Sequence, residues 1–182
     1  MSTAENKTIG FPSVKDGETF QLAGIEFIKF PEVDGMTPVI TRGIQFRSQF
    51  GSNNDLRASR VLEKMQEVFL PKIVAAVGEE NVCTFRTDLT TLDGLKPYGV
   101  MESKMSLPTM DFYRENVEIF DKYPVNAWWW LATPESAKPH YDPWWILCVS
   151  PSGYVNYGRY DFDRGVRPFL FLKSSIFESF EE

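Results

Sequence analysis

The sequence predicts an α+β protein with a single compact domain, in which antiparallel strands pack around two main helices. Its 182 residues suit one domain, and 43% of them are apolar, which is enough for a packed core. Strand-like stretches occupy both ends of the chain, and helix-like stretches occupy the middle. The single domain over residues 1–182 is therefore divided into an N-terminal strand region (1–51), a helical middle (52–124) and a C-terminal strand region (125–182).

The N-terminal region reads as strands joined by turns. Residues 20–30 alternate apolar and polar side chains imperfectly, at the period of a half-buried strand. Pro31 ends this strand, and Asp34-Gly35 predicts a tight turn because glycine tolerates positive φ. Residues 39–40 and 44–46 supply further strand-like material. We expect a small antiparallel sheet here.

The helical middle begins with an amphipathic segment. Asn53 or Asn54 is a candidate N-cap, since asparagine side chains accept hydrogen bonds from the first helical N–H groups. Apolar residues recur after it at helical spacing: Ala58, Leu62, Met65 and Phe69. Pro71 is expected to break or kink the helix, and Gly78 to end the short turn that follows.

A strand over 82–87 and a loop over 88–99 lead to a second helix that begins near Thr109 and ends before Pro124. Its apolar stripe is Tyr113, Val117 and Phe120. Asp111 is favourable in its first turn, and its flanks carry Glu115, Glu118 and Asp121. The second helix is therefore predicted to be the most acidic element of the chain.

The C-terminal region contains two apolar runs rich in tryptophan, 128–131 and 144–149, and a closing strand over 165–172. Continuous apolar runs of this length are typical of strands buried on both faces. Aromatic residues make up 15% of the chain, which also permits a stacking platform for sugars or bases. Core packing is the favoured interpretation, because tryptophan buries a large apolar area.

Charge and hydropathy exclude several classes of protein. Nineteen Lys and Arg stand against 25 Asp and Glu, which gives a net charge of −6. This balance argues against direct binding of nucleic acid and against docking on anionic lipid, both of which need basic surfaces. No apolar stretch reaches the roughly 18 residues that a membrane span requires. Residues 1–15 hold no apolar run of the kind found in a signal peptide.

Few residues are available for catalysis or metal binding. The chain has one histidine and two cysteines, too few for a structural zinc site or for chemistry based on paired imidazoles. It has no nucleophile elbow and no glycine-rich phosphate loop. We expect neither an enzyme nor a cofactor or metal.

Three small groups of residues leave alternatives open. His140, Tyr141 and Asp142 form either a small polar site or an ordinary surface loop. Asp161 and Asp163 either ligate a hard cation from one side of a strand or lie in a solvated turn. Cys83 and Cys148 either form a bridge or are two buried thiols in a reducing compartment.

Several motifs carry a resemblance. They are Ser106-Leu-Pro-Thr-Met-Asp-Phe-Tyr-Arg114, Trp129-Trp-Leu-Ala-Thr-Pro134, Val149-Ser-Pro-Ser-Gly153 and Gly165-Val-Arg-Pro-Phe-Leu170. In this order they resemble a protein family found in phages and gut Firmicutes, which has a Trp-Trp-Leu-x-x-Pro and Gly-Val-Arg-Pro signature. The resemblance covers roughly Leu56 to Ser175. The closing strand is also similar to C-type-lectin-like folds, although the Glu-Pro-Asn triplet of calcium-dependent lectins is missing.

In this phage-linked context the whole chain resembles anti-CRISPR proteins that inhibit type II RNA-guided nucleases. The resemblance implies a protein partner, the guide-loaded nuclease, in the cytoplasm of the bacterial host. Such a nuclease holds nucleic acid in a positively charged channel. The candidate partner-binding residues are therefore acidic: Asp111, Glu115, Glu118 and Asp121, with Asp161 and Asp163 as further candidates. The alternative is a C-type-lectin-like module of a phage or bacterial surface apparatus, binding ligand or receptor through loop 134–143.

Overall fold

Two five-stranded sheets and a two-stranded hairpin carry the fold of the computed structural model, which describes residues 10–139 and 143–178. The strands are β1 (Thr19–Leu22), β2 (Ile25–Lys29), β3 (Met36–Thr41), β4 (Phe46–Ser48), β5 (Val82–Cys83), β6 (Phe85–Asp88), β7 (Val100–Ser103), β8 (Trp129–Pro134), β9 (Trp145–Val149), β10 (Val155–Arg159), β11 (Arg164–Val166) and β12 (Phe169–Lys173). The first sheet has the order β1-β2-β3-β12-β5, the second has β10-β9-β8-β11-β4, and β6 pairs with β7. The predicted α+β class is confirmed.

Strand pairing is antiparallel in both sheets except between β8 and β11, which run parallel through Gly165 and Trp129. Gly165 permits this contact, because a methyl group added there would lie 2.9 Å from the carbonyl oxygen of Trp128. The closing segment 165–172 therefore contributes to both sheets. Its first residues lie in β11 of the second sheet, and β12 lies in the first sheet between β3 and β5.

The prediction of one strand over 20–30 is wrong, because this segment is a hairpin of β1 and β2. Ala23 (φ 53°) and Gly24 (φ 74°) form a two-residue turn with positive φ at both positions. That geometry matches the twist of two antiparallel strands and reverses the chain. The turn predicted at Asp34-Gly35 is confirmed, with φ of 50° and 79°.

The helices fall into two groups, in the regions where the sequence predicts them. They are α1 (Arg60–Lys64), α2 (Leu70–Val77), α3 (Met110–Glu115) and α4 (Val117–Lys122). None within the described ranges is long and apolar enough to cross a membrane.

The first helical group begins later than predicted. Ser59 caps α1, its hydroxyl accepting the Leu62 N–H at 3.1 Å, so the prediction of Asn53 or Asn54 as the cap is wrong. Asn54 is fully buried instead, and its amide donates to the carbonyl oxygen of Ser136 at 2.9 Å. Ala58 consequently lies in a 3₁₀ turn before the helix.

Pro71 does not break the first helical group. A π-helical turn over Met65–Phe69 joins α1 to α2, and the Leu70 N–H donates to the Met65 carbonyl. Pro71 lies just after this π-helical turn, and the helical backbone continues through it along α2. Gly78, with φ of 89°, ends α2 as predicted.

The second helical group is interrupted at Asn116. Thr109 caps α3 as predicted, accepting the Phe112 N–H at 3.2 Å. Asn116 has φ of −117° and ψ of 21°, and its side-chain amide donates to the Phe112 carbonyl, in competition with helical backbone bonding. The break turns Val117 outward, 38% exposed, so its predicted place in the apolar stripe is wrong. Tyr113 and Phe120 are buried as predicted.

One apolar core joins residues from both sheets, the hairpin and both helical groups. Trp129 and Trp130 are 2% and 0% exposed, which confirms core packing for these two tryptophans. Cys83 in β5 and Cys148 in β9 are free thiols in different sheets, so they do not form a bridge. Cys148 is buried and Cys83 is partly buried.

Candidate functional site

Three of the six predicted carboxylates already have arginine partners. The ion pairs are Asp111 with Arg114 at 2.6 Å, Asp161 with Arg159 at 3.2 Å, and Asp163 with Arg47 at 3.7 Å. All three carboxylates are exposed, so the pairs contribute little stability, but each arginine offsets the negative charge beside it. These residues are the weaker candidates for attracting a basic partner.

Asp161 and Asp163 are exposed and lie between β10 and β11, which is where the solvated-turn interpretation places them. Over 10–139 and 143–178, no three His, Cys, Asp or Glu residues are grouped as a metal site requires. His140, Tyr141 and Asp142 lie outside the described residues.

The other three predicted carboxylates, Glu115, Glu118 and Asp121, are exposed and form no ion pair with any described residue. The break at Asn116 places Glu115 at the end of α3 and the other two in α4. Asp111 and Asp121 line different cavities, so the predicted acidic helix does not present its four carboxylates to one site.

A cavity of about 430 Å³ lies between the second helical group and the turn that joins β9 to β10. It is lined by Tyr113, Phe120, Asp121, Tyr123, Pro124, Val125, Trp129, Val149, Ser150, Pro151, Ser152, Gly153 and Arg167. The Tyr113 hydroxyl fastens the turn to α3 by donating to the Gly153 carbonyl oxygen at 2.9 Å. Gly153 has φ of 85°, a conformation that favours glycine and shapes the rim of the cavity.

Arg167 forms part of the cavity wall and is only 1% exposed. Its Nε donates to the Thr41 carbonyl and its Nη2 to the Arg42 carbonyl, both at 3.0 Å. Its guanidinium stacks over the Trp129 ring, 4.5 Å from the centroid. No carboxylate among the described residues forms an ion pair with it.

Burial lowers the pKa of Arg167 to about 9, partly opposed by nearby Tyr113. Arg167 therefore remains charged at neutral pH, and within residues 10–139 and 143–178 its positive charge is balanced by carbonyl and ring dipoles. Arg167 had no predicted role from the sequence. The available signal was its position as a single charged residue between Val166 and a run of apolar residues, where a charge is rarely placed without a partner.

Two oxygen-bearing side chains complete the cavity wall. The exposed Asp121 stands at the rim, and its Oδ1 is 3.9 Å from the point that a Cβ at Gly153 would occupy. The Ser150 hydroxyl accepts the Tyr154 N–H at 3.1 Å, so its own proton is available to a ligand. The cavity therefore combines a buried cation, a hydroxyl donor and a carboxylate rim with aromatic walls.

The edge strand β10, together with Tyr154 just before it, presents an aromatic surface next to the Gly153 turn. Tyr154, Val155 and Tyr157 are 73%, 40% and 49% exposed. The Asn156 side chain accepts the Tyr157 N–H at 2.8 Å, which occupies a donor that another strand would need for pairing. The edge is thus suited to side-chain contacts more than to strand addition.

Asp121 of α4 lies beside the Gly153 turn, which leads directly into the exposed Tyr154 and Val155. The other two unpaired carboxylates, Glu115 and Glu118, precede Asp121 in the same helical group. Together these carboxylates and the exposed residues at and before β10 form what we call the acidic-aromatic surface: Glu115, Glu118, Asp121, Tyr154, Val155 and Tyr157.

The half-buried tryptophans do not offer open rings for stacking on both faces. Arg164 covers Trp128 with its guanidinium 4.7 Å from the centroid, and Arg159 covers Trp144 at 4.5 Å. Trp145 packs edge-on against Tyr157 at 5.5 Å. These rings are engaged within the fold, so the stacking platform is the less favoured interpretation.

Comparison with known protein families, with curated proteins and with solved structures finds no match for this chain. Function is therefore inferred from the cavity and from the acidic-aromatic surface.

Proposed function

We propose that the chain is an inhibitor of the anti-CRISPR type, which binds a type II RNA-guided nuclease in the cytoplasm of a bacterial host and blocks target DNA binding or cleavage. The observation that carries the proposal is the acidic-aromatic surface, where the unpaired Asp121 lies beside the turn that leads to exposed Tyr154 and Tyr157, with two further unpaired carboxylates in the same helical group. The proposal requires no catalytic group, cofactor or membrane.

The two parts of this surface suit two stages of binding. Exposed carboxylates attract a positively charged channel over distance and raise the rate of association. Tyrosines then supply large and rigid contact areas. Tyrosine is one of the residue types enriched among those that carry binding energy at protein interfaces. An acidic chain of net charge −6 repels phosphates, so the partner is the nuclease protein and its channel, with DNA as the competitor.

The test is cleavage of target DNA by a panel of guide-loaded type II nucleases, with increasing amounts of the folded chain. We expect dose-dependent loss of cleavage with at least one nuclease. A gel shift of the target then distinguishes blocked DNA binding from blocked cleavage. Full cleavage across the panel would contradict the proposal.

Matched variants assign the effect to the surface. The triple variant Glu115→Lys, Glu118→Lys, Asp121→Lys should need at least about 10-fold more protein for the same inhibition. The control reverses three carboxylates that are exposed and have no described ion pair elsewhere in the fold: Glu32→Lys, Glu63→Lys, Glu67→Lys. Both variants change the net charge equally, so equal loss of inhibition would show that net charge acts and the surface does not.

A second candidate function, a C-type-lectin-like module that binds a ligand or receptor, is favoured by the cavity beside Arg167. In this alternative the chain belongs to a phage or bacterial surface apparatus. Detection of the chain in purified virions, together with full nuclease activity in its presence, would support this candidate over the inhibitor.

A further inference from the structure

The cavity contains a positive charge that nothing in the described part of the protein neutralises. Arg167 is 1% exposed and uses Nε and Nη2 for backbone carbonyls, and Nη1 makes no hydrogen bond with a described residue. A buried charge is costly unless it is paired and fully hydrogen-bonded. The Arg167 guanidinium at the cavity wall is therefore suited to bind an anion.

The position of Trp129 limits how that anion approaches. The Arg167 guanidinium lies over the Trp129 ring, with Cζ 4.5 Å from the ring centroid, so the ring blocks approach from that side. The ligand must therefore meet the N–H groups in the guanidinium plane, where a carboxylate fits best. The Ser150 hydroxyl supplies one more donor in the same cavity.

The remaining wall restricts the rest of the ligand. Tyr113, Phe120, Tyr123 and Trp129 provide aromatic surface, and a volume of about 430 Å³ is within the range of small-molecule sites. Asp121 at the rim repels a second negative charge, which disfavours phosphate dianions and dicarboxylates. It would pair with an ammonium group.

We propose that this cavity binds a small monocarboxylate with an aromatic or apolar body, placing the carboxylate on Arg167 and a neutral or cationic group beside Asp121. An aromatic α-amino acid has a carboxylate for Arg167, an ammonium group for Asp121 and a ring for the aromatic part of the wall. The inference deepens the second candidate function and holds whether or not a nuclease is inhibited, because its test uses the protein alone.

The experiment compares three probes of similar shape by protein-observed NMR and by titration calorimetry: phenylacetate, phenylacetamide and L-phenylalanine. Phenylacetate should bind and shift the Trp129 indole resonance, and phenylacetamide should bind at least about 10-fold more weakly because it lacks the charge. Asp121→Asn should weaken L-phenylalanine and leave phenylacetate unchanged or tighter. Equal affinities for phenylacetate and phenylacetamide, or no binding of any probe at millimolar concentration, would overturn the proposal.

Arg167→Met then tests the anchoring residue, since methionine retains much of the length and none of the charge. Phenylacetate binding should be lost in this variant and retained in Arg164→Met, whose arginine stacks on Trp128 and does not line the cavity. Retained binding in a folded Arg167→Met protein would contradict the inference. If that variant does not fold, the proposal is tested by the affinities of the unmodified protein for phenylacetate and phenylacetamide.

Discussion

Replacing Tyr113 with phenylalanine removes one hydrogen bond and keeps the aromatic ring. The hydroxyl donates to the Gly153 carbonyl at 2.9 Å, while the ring packs 4.8 Å from Phe120 and 5.9 Å from Trp129, measured between centroids. A neutral hydrogen bond contributes roughly 0.5–1.5 kcal/mol to stability. Tyr113→Phe should therefore lower the free energy of unfolding at pH 7 by about 1 kcal/mol. Urea titration followed by tryptophan fluorescence measures this change, with the slope against urea unaltered.

The same variant has a distinct signature at high pH. Burial raises the pKa of Tyr113, and the charge of Asp121 raises it further. Because the folded-state pKa lies above the unfolded value of about 10, the stability contributed by the neutral phenol is present below pH 10 and is lost as pH rises through the folded pKa. The unmodified protein should lose this contribution and Tyr113→Phe should not, so their stabilities converge above pH 10. A constant difference between the two proteins up to pH 11, or equal stabilities at pH 7, would refute the reasoning.

Three other changes test the fold. Ser59→Ala removes the cap of α1 and should lower the free energy of unfolding by about 1 kcal/mol, measured by thermal circular dichroism; no change would contradict the cap. Gly165→Ala places a methyl 2.9 Å from the Trp128 carbonyl oxygen and should cost about 1–3 kcal/mol in urea unfolding, whereas Gly43→Ala, with no atom within 4 Å, is the control and should be nearly neutral. Burial raises the pKa of Cys148 from 9.0 to about 11, so the neutral thiol contributes stability below pH 9 that is lost towards pH 11. Cys148→Ala should flatten the decline in that window, and an unchanged slope would contradict it.

The parts of the fold that depend on neighbouring residues were predictable from the sequence. Thr109 precedes a helical pattern and caps it, and Asp34-Gly35 forms the expected turn. The same rules missed the turn at Ala23, because alanine rarely adopts positive φ and only the pairing of β1 with β2 holds it there. They also misplaced the first cap, since Asn54 is held in the core by carbonyls 82 and 91 residues away.

The candidate site was less predictable, because it depends on contacts between distant parts of the chain. Six carboxylates were predicted from the sequence as partner-binding candidates because they are acidic. Asp163 and the Arg47 that contacts it are 116 positions apart, so the sequence alone could not predict the ion pair that makes Asp163 a weaker candidate. The two carbonyls that hold Arg167 are 126 and 125 positions away, which is why the residue appeared only as part of a motif.

The most direct test of the proposed function is the dissociation constant of the chain with guide-loaded type II nucleases, measured without target DNA at two salt concentrations. We predict binding to at least one nuclease, weaker at the higher salt, and weakened at least about 10-fold by the triple variant at Glu115, Glu118 and Asp121 but not by its matched control. Absence of binding across the panel, or equal affinity for the unmodified protein and the triple variant, would contradict the role of the acidic-aromatic surface.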